Sequence, residues 1–419
     1  MEKLSGQMKE TIRDGLTFFK WLLYACGIGV LVGGVGVAFH YSIDWATELR
    51  LHNPDLIWLL PAGGVSIVLL YRICGMEKDR GTNLALVAVR EAQPMKLRTA
   101  PLIFLSTIIT HLVGGSAGRE GAALQLGGSL SAYVGRKMRL DALDSRVLVL
   151  CGMSAAFSAL FGTPLTAAVF AMEVVSVGRM YYGVMVPCFV SSMIGKQVAR
   201  ACGLHLSVGY LISGVPLPGV VPMVQAAGMG VMCAVLSVLF CRVMHAAPRL
   251  YGGVFRNPYA RAAAGGILVL TLTLLVGSQD YNGAGDALIR RMLGGEDIPL
   301  AFLLKILFTA LTLGAGFRGG EIVPVLCTGA AFGTVAGPVL GLSQSFGGAL
   351  GMTAAFCGAT NCPLSSIFLA YELFSGRGLS LHALCCAVAY ALSGYYGLYS
   401  EQKIVYSKFR AEWVDRSVK

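Results

Sequence analysis

Charge is scarce in this chain. Only 13% of its 419 residues are charged and 55% are hydrophobic. A soluble domain carries about 25% charged residues, so a large water-facing surface is excluded. Paired cysteine spacing is missing as well. The twelve cysteines stand singly or adjacent (Cys385, Cys386) inside apolar runs, without C-x-x-C spacing. Support for disulfides or a zinc site is therefore poor, and the cysteines read as small packing residues. None of the six histidines has metal-ligand or triad spacing, and no G-x-x-x-x-G-K-[ST] phosphate loop occurs. No metal, cofactor or ATP is implied.

Apolar segments long enough to span about 30 Å of hydrocarbon recur from end to end, which makes the expected fold class an all-α polytopic membrane protein. Lys3, Lys9 and Arg13 precede Phe18–Phe39, a run too long for a signal peptide, so it reads as a first transmembrane helix. The net charge of +11 does not call for nucleic acid, because the cations cluster at both ends and in connectors such as 136–146. The positive-inside rule then places both termini in the cytoplasm, with an even number of crossings. The lipid bilayer is the implied partner.

In chain order, Leu56–Leu70 reads as a second apolar helix and 71–80 as a charged surface connector. Gly81-Thr82-Asn83 then opens the short helical run Leu84–Ala92. Segments 102–113 and 124–134 flank a glycine-rich loop. Val147–Leu160 and Pro164–Val177 form a pair broken at Phe161–Pro164. Met185–Ile194 starts another span, followed by the short Leu206–Ile212 and the Pro/Gly-rich midpoint 214–222. Met223–Val243, Ala262–Val276 and Leu300–Leu313 continue the pattern in the second half.

The loop Gly114-Gly115-Ser116-Ala117-Gly118-Arg119-Glu120-Gly121 holds a carboxylate between two apolar segments. A lone charge there costs several kcal/mol, so Glu120 is a functional candidate by default. The glycines allow close backbone approach, and a helix starting near Glu120 would aim unpaired N–H groups at an anion. The same residues also fit a tight turn in which Arg119 satisfies Glu120.

A second break, Gly314-Ala315-Gly316-Phe317-Arg318-Gly319-Gly320-Glu321-Ile322-Val323-Pro324, repeats the theme. Gly115, Arg119 and Gly121 find the same residue type 199 positions later, as do Pro164-Leu165 and Glu173, the last at Glu372, and Gly152–Phe157 answers to Gly351–Phe356 with Thr353 in place of Ser154. Two homologous halves meeting at a binding site are expected, roughly 16–213 and 220–400, with a short tail 401–419. Three helix starts, at Gly81-Thr82-Asn83, Glu120-Gly121 and Glu321-Ile322-Val323, could then converge on an anion. Glu120 could occupy that site when ionised and leave it when protonated. Tyr399 fits either an inward hydroxyl donor or an interfacial anchor. Glu173 and Glu372, at equivalent positions, point to a shared structural task such as bonding backbone N–H groups of a neighbouring loop.

These motifs resemble the chloride channel and transporter (CLC) family of anion channels and proton-coupled antiporters, over nearly the whole chain. Gly118-Arg119-Glu120-Gly121 matches the family's G-R-E-G motif, whose glutamate is the external gate and proton carrier. Gly319–Pro324 sits where the family has G-x-F-x-P, and Leu398-Tyr399-Ser400 fits the inner-gate tyrosine segment. The resemblance implies two inverted-topology repeats with broken and re-entrant helices, and a homodimer with one pathway per subunit. Several departures resemble the bacterial fluoride branch. Arg80–Leu84 replaces G-S-G-I-P, Ala122 replaces a proline, Glu321 follows a double glycine, and Val174 stands where the family's inner proton glutamate falls. Thr82 and Val323 depart from that branch.

The implied activity is a fluoride/proton antiporter of the bacterial inner membrane, with a chloride/proton antiporter or chloride channel as the alternative. Glu120 would exchange with the anion and Glu321 would relay protons. The N–H groups of Gly81, Thr82, Asn83, Gly121, Ile322 and Val323 and the Tyr399 hydroxyl would hold the anion. An intramembrane enzyme using Glu120 lacks a partner nucleophile or metal cluster.

Overall fold

The computed structural model describes residues 2–77, 79–91, 95–204, 209–410 and 412–419, with side chains from residue 10 onward. The first half contains α1 (Glu2–His52), α2 (Leu60–Ile73), α3 (Asn83–Glu91), α4 (Thr99–Leu112), α5 (Glu120–Lys137), α6 (Ala142–Phe161), α7 (Pro164–Glu173) and α8 (Met185–Ala201). The second contains α9 (Val220–Val254), α10 (Pro258–Val276), α11 (Asp286–Leu293), α12 (Ala301–Ala315), α13 (Ile322–Val339), α14 (Gln344–Thr360), α15 (Pro363–Leu373) and α16 (Leu379–Leu392). Among the described residues, six helices are long and apolar enough to cross a membrane. Of the short segment expected at 206–212, residues 206–208 lie outside the described residues, and 209–212 are not helical. Helix α11 lies between the expected spans Ala262–Val276 and Leu300–Leu313, an interval in which the sequence reading places no helix.

The repeat is visible in the caps. Asp141 and Ser343 accept from the N–H groups of Asp144 and Phe346 at the starts of α6 and α14. Those helices end on the left-handed residues Gly162 (φ 73°) and Asn361 (φ 58°), and proline at the first position starts α7 and α15. The expected uniform offset of 199 needs correction. Glu120 and Ile322, which start α5 and α13, lie 202 apart, whereas Pro164 and Pro363 lie 199 apart, because α6 has 20 residues and α14 has 17. Arg119 therefore corresponds to Glu321, and Gly121 to Val323. The identities 199 apart in this loop are coincidental.

Small residues let the helices meet at backbone distance. A Cβ on Gly127 would stand 2.2 Å from the Gly152 carbonyl, and one on Gly329 would stand 2.4 Å from that of Gly351. Aromatic rings join the halves at the centre: Phe170 lies 5.5 Å from Phe157 and 5.7 Å from Phe356. Glu173 and Glu372 cap each other's neighbours across this seam. Glu173 accepts from the N–H groups of Leu364 and Ser365 at 3.1 and 2.9 Å, and Glu372 from those of Leu165 and Thr166 at 3.0 and 2.9 Å. Each also accepts a hydroxyl, from Ser365 or Thr166.

The tail departs from the all-helical pattern. Strands β2 (Lys403–Tyr406) and β3 (Trp413–Ser417) pair antiparallel, and β2 pairs in parallel with β1 (Ser176–Val177), just after α7. Lys408 reaches inward to Asn361, Ser393 and the Tyr390 carbonyl. Segment 401–419 is thus stitched to both halves.

Candidate anion and proton site

Two glycine loops meet face to face between the halves. Gly118 and Gly320 exchange backbone hydrogen bonds of 2.7 Å in both directions. Side chains are excluded there: a Cβ on Gly320 would stand 2.5 Å from the Gly121 nitrogen, and one on Gly319 would stand 2.5 Å from the Ala117 Cβ. The pairing brings the first turns of α5 and α13 together, and their N–H groups have no intrahelical acceptor. Gly121, Ile322 and Val323 are buried in those turns.

One carboxylate flanks each side of the paired strands. Glu120, 1% exposed, folds back so that Oε2 accepts the Arg119 N–H at 3.0 Å and packs against Gly118. The Arg119 guanidinium lies 3.8 Å from Glu120 but bonds Asp44 at 2.8 Å, and His40 lies 2.9 Å from Asp44. The Arg119–Glu120 pair of the tight-turn alternative thus forms as an ion pair without a guanidinium hydrogen bond, which goes to Asp44 instead. A cavity of about 400 Å³ opens beside Arg119, lined also by Asp44, His111, Asp286 and Arg290. Glu321 lies on the other side, near Gly121, where its Oε2 is buried without a hydrogen-bond partner among the described residues. It borders a separate cavity of about 380 Å³ with Asn83, His245, Arg249 and Ser400.

Tyr399 is 1% exposed and its hydroxyl has no hydrogen-bond partner among the described residues. This placement excludes the interfacial anchor. The turn that carries it is tied down on both sides: the Leu398 N–H donates to Ala359 at 2.8 Å, and the Gln402 side chain donates to the carbonyls of Val174 and Thr360. A buried hydroxyl without an acceptor costs about 1–3 kcal/mol. A ligand supplying a lone pair would recover that energy.

The Gly81–Asn83 loop is less free than expected. The Gly81 N–H donates to Asp79 at 2.8 Å, the Thr82 hydroxyl to the Gly121 carbonyl at 3.3 Å, and Asn83 Oδ1 accepts the Glu401 N–H at 3.1 Å. These bonds join α3 to the α5 loop and to the Tyr399 turn, leaving the first N–H groups of α3 as its donors. Asp79 was read as part of a surface connector, yet its side chain is wholly buried, held by Gln125 at 3.0 Å and lying 3.7 Å from Arg318. Sequence reasoning also missed Lys305, which is fully buried and donates to Ser116 Oγ and the carbonyls of Tyr281 and Gly283 at 3.0, 3.1 and 2.8 Å. A lysine in an apolar helix was the available signal.

Two buried carboxylates, helix N-termini and a free phenol can together hold a dehydrated anion and pass a proton. Comparison with known proteins gives the family. A chloride/fluoride channel protein of Pseudomonas syringae pv. tomato is 34% identical over 97% of this chain and 92% of its own length. An H(+)/Cl(-) exchange transporter ClcA of Yersinia pseudotuberculosis is 26% identical, covering 89% of this chain and 84% of its own. A crystal structure of a CLC-type fluoride/proton antiporter superposes with a TM-score of 0.88 at 30% identity, covering 92% of this chain and 98% of that one. A slow cyanobacterial Cl-/H+ antiporter shares the fold, with a TM-score of 0.73 at 18% identity over 89% of this chain and 94% of its own. The model of the voltage gated chloride channel family matches residues 62–394, so this multi-pass membrane protein belongs to the CLC family of anion channels and antiporters.

Proposed function

We propose that the chain is a fluoride/proton antiporter that exports cytoplasmic fluoride as protons enter, with Glu120 changing places with the anion. The supporting observation is the arrangement at the paired loops. Glu120 lies folded on one side, Glu321 with an unpartnered oxygen on the other, and the Tyr399 hydroxyl is unpartnered and buried. Fluoride is small and strongly hydrated, so it needs several close donors to leave water. The N–H groups at the starts of α3, α5 and α13 and the Tyr399 phenol are those donors. Residues 82, 83, 121, 322 and 323 enter through their backbone rather than their side chains, whereas the Gly81 N–H is taken by Asp79.

Protons take Glu120 as their carrier and Glu321 as the relay that replaces a missing inner glutamate. Val174, at that inner position, is buried and cannot titrate. The whole chain is read as one transmembrane domain of two repeat halves. It works as a homodimer in the bacterial inner membrane, with both termini cytoplasmic. Chloride/proton exchange is the second reading, since a 26% identical relative is named an H(+)/Cl(-) exchange transporter.

The test is efflux from liposomes loaded with fluoride or chloride while external pH is recorded, with Glu120→Ala beside the wild type. Fluoride leaving far faster than chloride, with protons entering, and loss of proton movement in the variant are expected. Faster chloride efflux would transfer the protein to the second reading. Glu321→Gln with unchanged coupling would remove the relay.

A further inference from the structure

A third cavity, of about 440 Å³, lies apart from the anion site between the end of α2 and the start of α10. Three arginines from three segments line it: Arg72 of α2, Arg261 of α10 and Arg318 of the loop before α13. Its acids do not balance them. Glu77 is 63% exposed and lies 3.5 Å from Arg72, while Arg261 makes no ion pair among the described residues. Arg318 has only Asp79 at 3.7 Å, and that carboxylate is already bonded by Gly81 and Gln125. Nε of Arg261 and of Arg318 are buried without hydrogen-bond partners among the described residues.

Tyrosines order these cations. The Arg318 guanidinium stacks 4.3 Å over the Tyr71 ring, and that of Arg72 lies 5.8 Å from the Tyr259 ring. Stacking on Tyr71 holds the Arg318 guanidinium in place while leaving its edge available to an oxyanion, and Arg72 is held instead by the Tyr259 hydroxyl and Glu77, each at 3.5 Å. The outer faces of the same helices are apolar: Leu69 and Ile73 on α2, and Ile267 and Leu268 on α10, are 45–74% exposed. Acyl chains could lie there while a headgroup enters the cavity.

We propose that this cavity binds a phosphate-bearing anion, with the three guanidiniums as its ligands and an acidic phospholipid headgroup as the source that the apolar approach favours. Basic pockets between helix ends are suited to such headgroups. The site is independent of the transported ion and of the antiport reading.

The test is thermal unfolding of the full chain in a neutral detergent, in gluconate buffer at fixed ionic strength. Dihexanoyl-phosphatidylglycerol, dihexanoyl-phosphatidylcholine or inorganic phosphate is added in turn. Phosphatidylglycerol should raise the melting temperature by about 3 °C near saturation, with little effect from the zwitterionic lipid. Arg72→Gln and Arg261→Gln should each lose most of that shift. Stabilisation by inorganic phosphate as well would support the phosphate site with a soluble source. Equal shifts from both lipids in the wild type, or a shift that survives in both variants, would overturn the proposal. The wild-type lipid comparison decides even if a variant fails to fold.

Discussion

Gly118 and Gly320 face each other in one backbone bridge, yet alanine at the two positions should have different consequences. At Gly320 the new methyl would lie 2.5 Å from the Gly121 nitrogen and 3.1 Å from its Cα. Both are backbone atoms, so the loops must separate. Overpacking costs about 1–3 kcal/mol, and the two bridge hydrogen bonds add about 0.5–1.5 kcal/mol each, giving roughly 2–6 kcal/mol in all. At Gly118 the nearest atom is Glu120 Oε2 at 2.8 Å, the end of a side chain that can rotate, with Pro324 Cδ at 3.1 Å and the Gly320 oxygen at 3.2 Å yielding slightly. Swinging Glu120 away gives up its bond from the Arg119 N–H, a charge-assisted interaction of about 1.5–3 kcal/mol. The balance between folded-back and displaced carboxylate then shifts roughly 10- to 100-fold. Gly118→Ala should therefore melt below the wild type but above Gly320→Ala, and should change the rate and proton coupling of anion efflux. Gly320→Ala should melt several degrees lower. Gly320→Ala melting with the wild type, or Gly118→Ala being the less stable of the two, would refute this account of the bridge.

Removing either cross-seam cap, with Glu173→Ala or Glu372→Ala, leaves two backbone N–H groups without acceptors and should cost roughly 2–5 kcal/mol, read as a lower melting temperature in detergent. The loss should be greater for the more buried Glu173. Tyr399→Phe removes a buried hydroxyl that has no partner among the described residues, so the anion-free protein should melt higher, by about 1–3 kcal/mol of stability, while anion efflux falls about tenfold. Lys305→Met breaks three hydrogen bonds between α12, the Ser116 loop and the 281–283 loop, and should lower stability by about 2–4 kcal/mol; an unchanged melt would mean those loops hold without it. Efflux by the wild type should rise as external pH falls, because a proton must reach Glu120. Glu120→Gln should flatten that dependence.

Local features of the site were legible in the sequence, and contacts that depend on distant segments were not. Glu120 and Glu321 stand out as acids among glycines in apolar surroundings, and Glu173 and Glu372 as acids at matching places in two halves. Burial of Asp79 could not be seen, because Gln125 and Arg318, which surround it, come from 46 residues away or from the other repeat. The tail sheet was missed for the same reason: its parallel partner is two residues, Ser176 and Val177, more than two hundred positions earlier. A strand that short carries no periodicity of its own.

The corrected register also bears on mechanism. Gly118 is bonded to its own repeat counterpart, Gly320, so the approximate symmetry axis of the two halves passes through the bridge. Perfect symmetry would place the same residue at both helix starts. Glu120 is instead the first residue of α5 and corresponds to Ile322, while Glu321 precedes α13 and corresponds to Arg119. The carboxylates are therefore not symmetry mates. One lies against Gly118 next to Arg119, and the other against Gly121 with a free oxygen. A transporter must distinguish its two sides, and two repeats related by symmetry do not do so by themselves. Here the asymmetry is one step along the chain, enough to give each side of the bridge its own acid and, among the described residues, to leave only Glu120 of the two in an ion pair with a guanidinium.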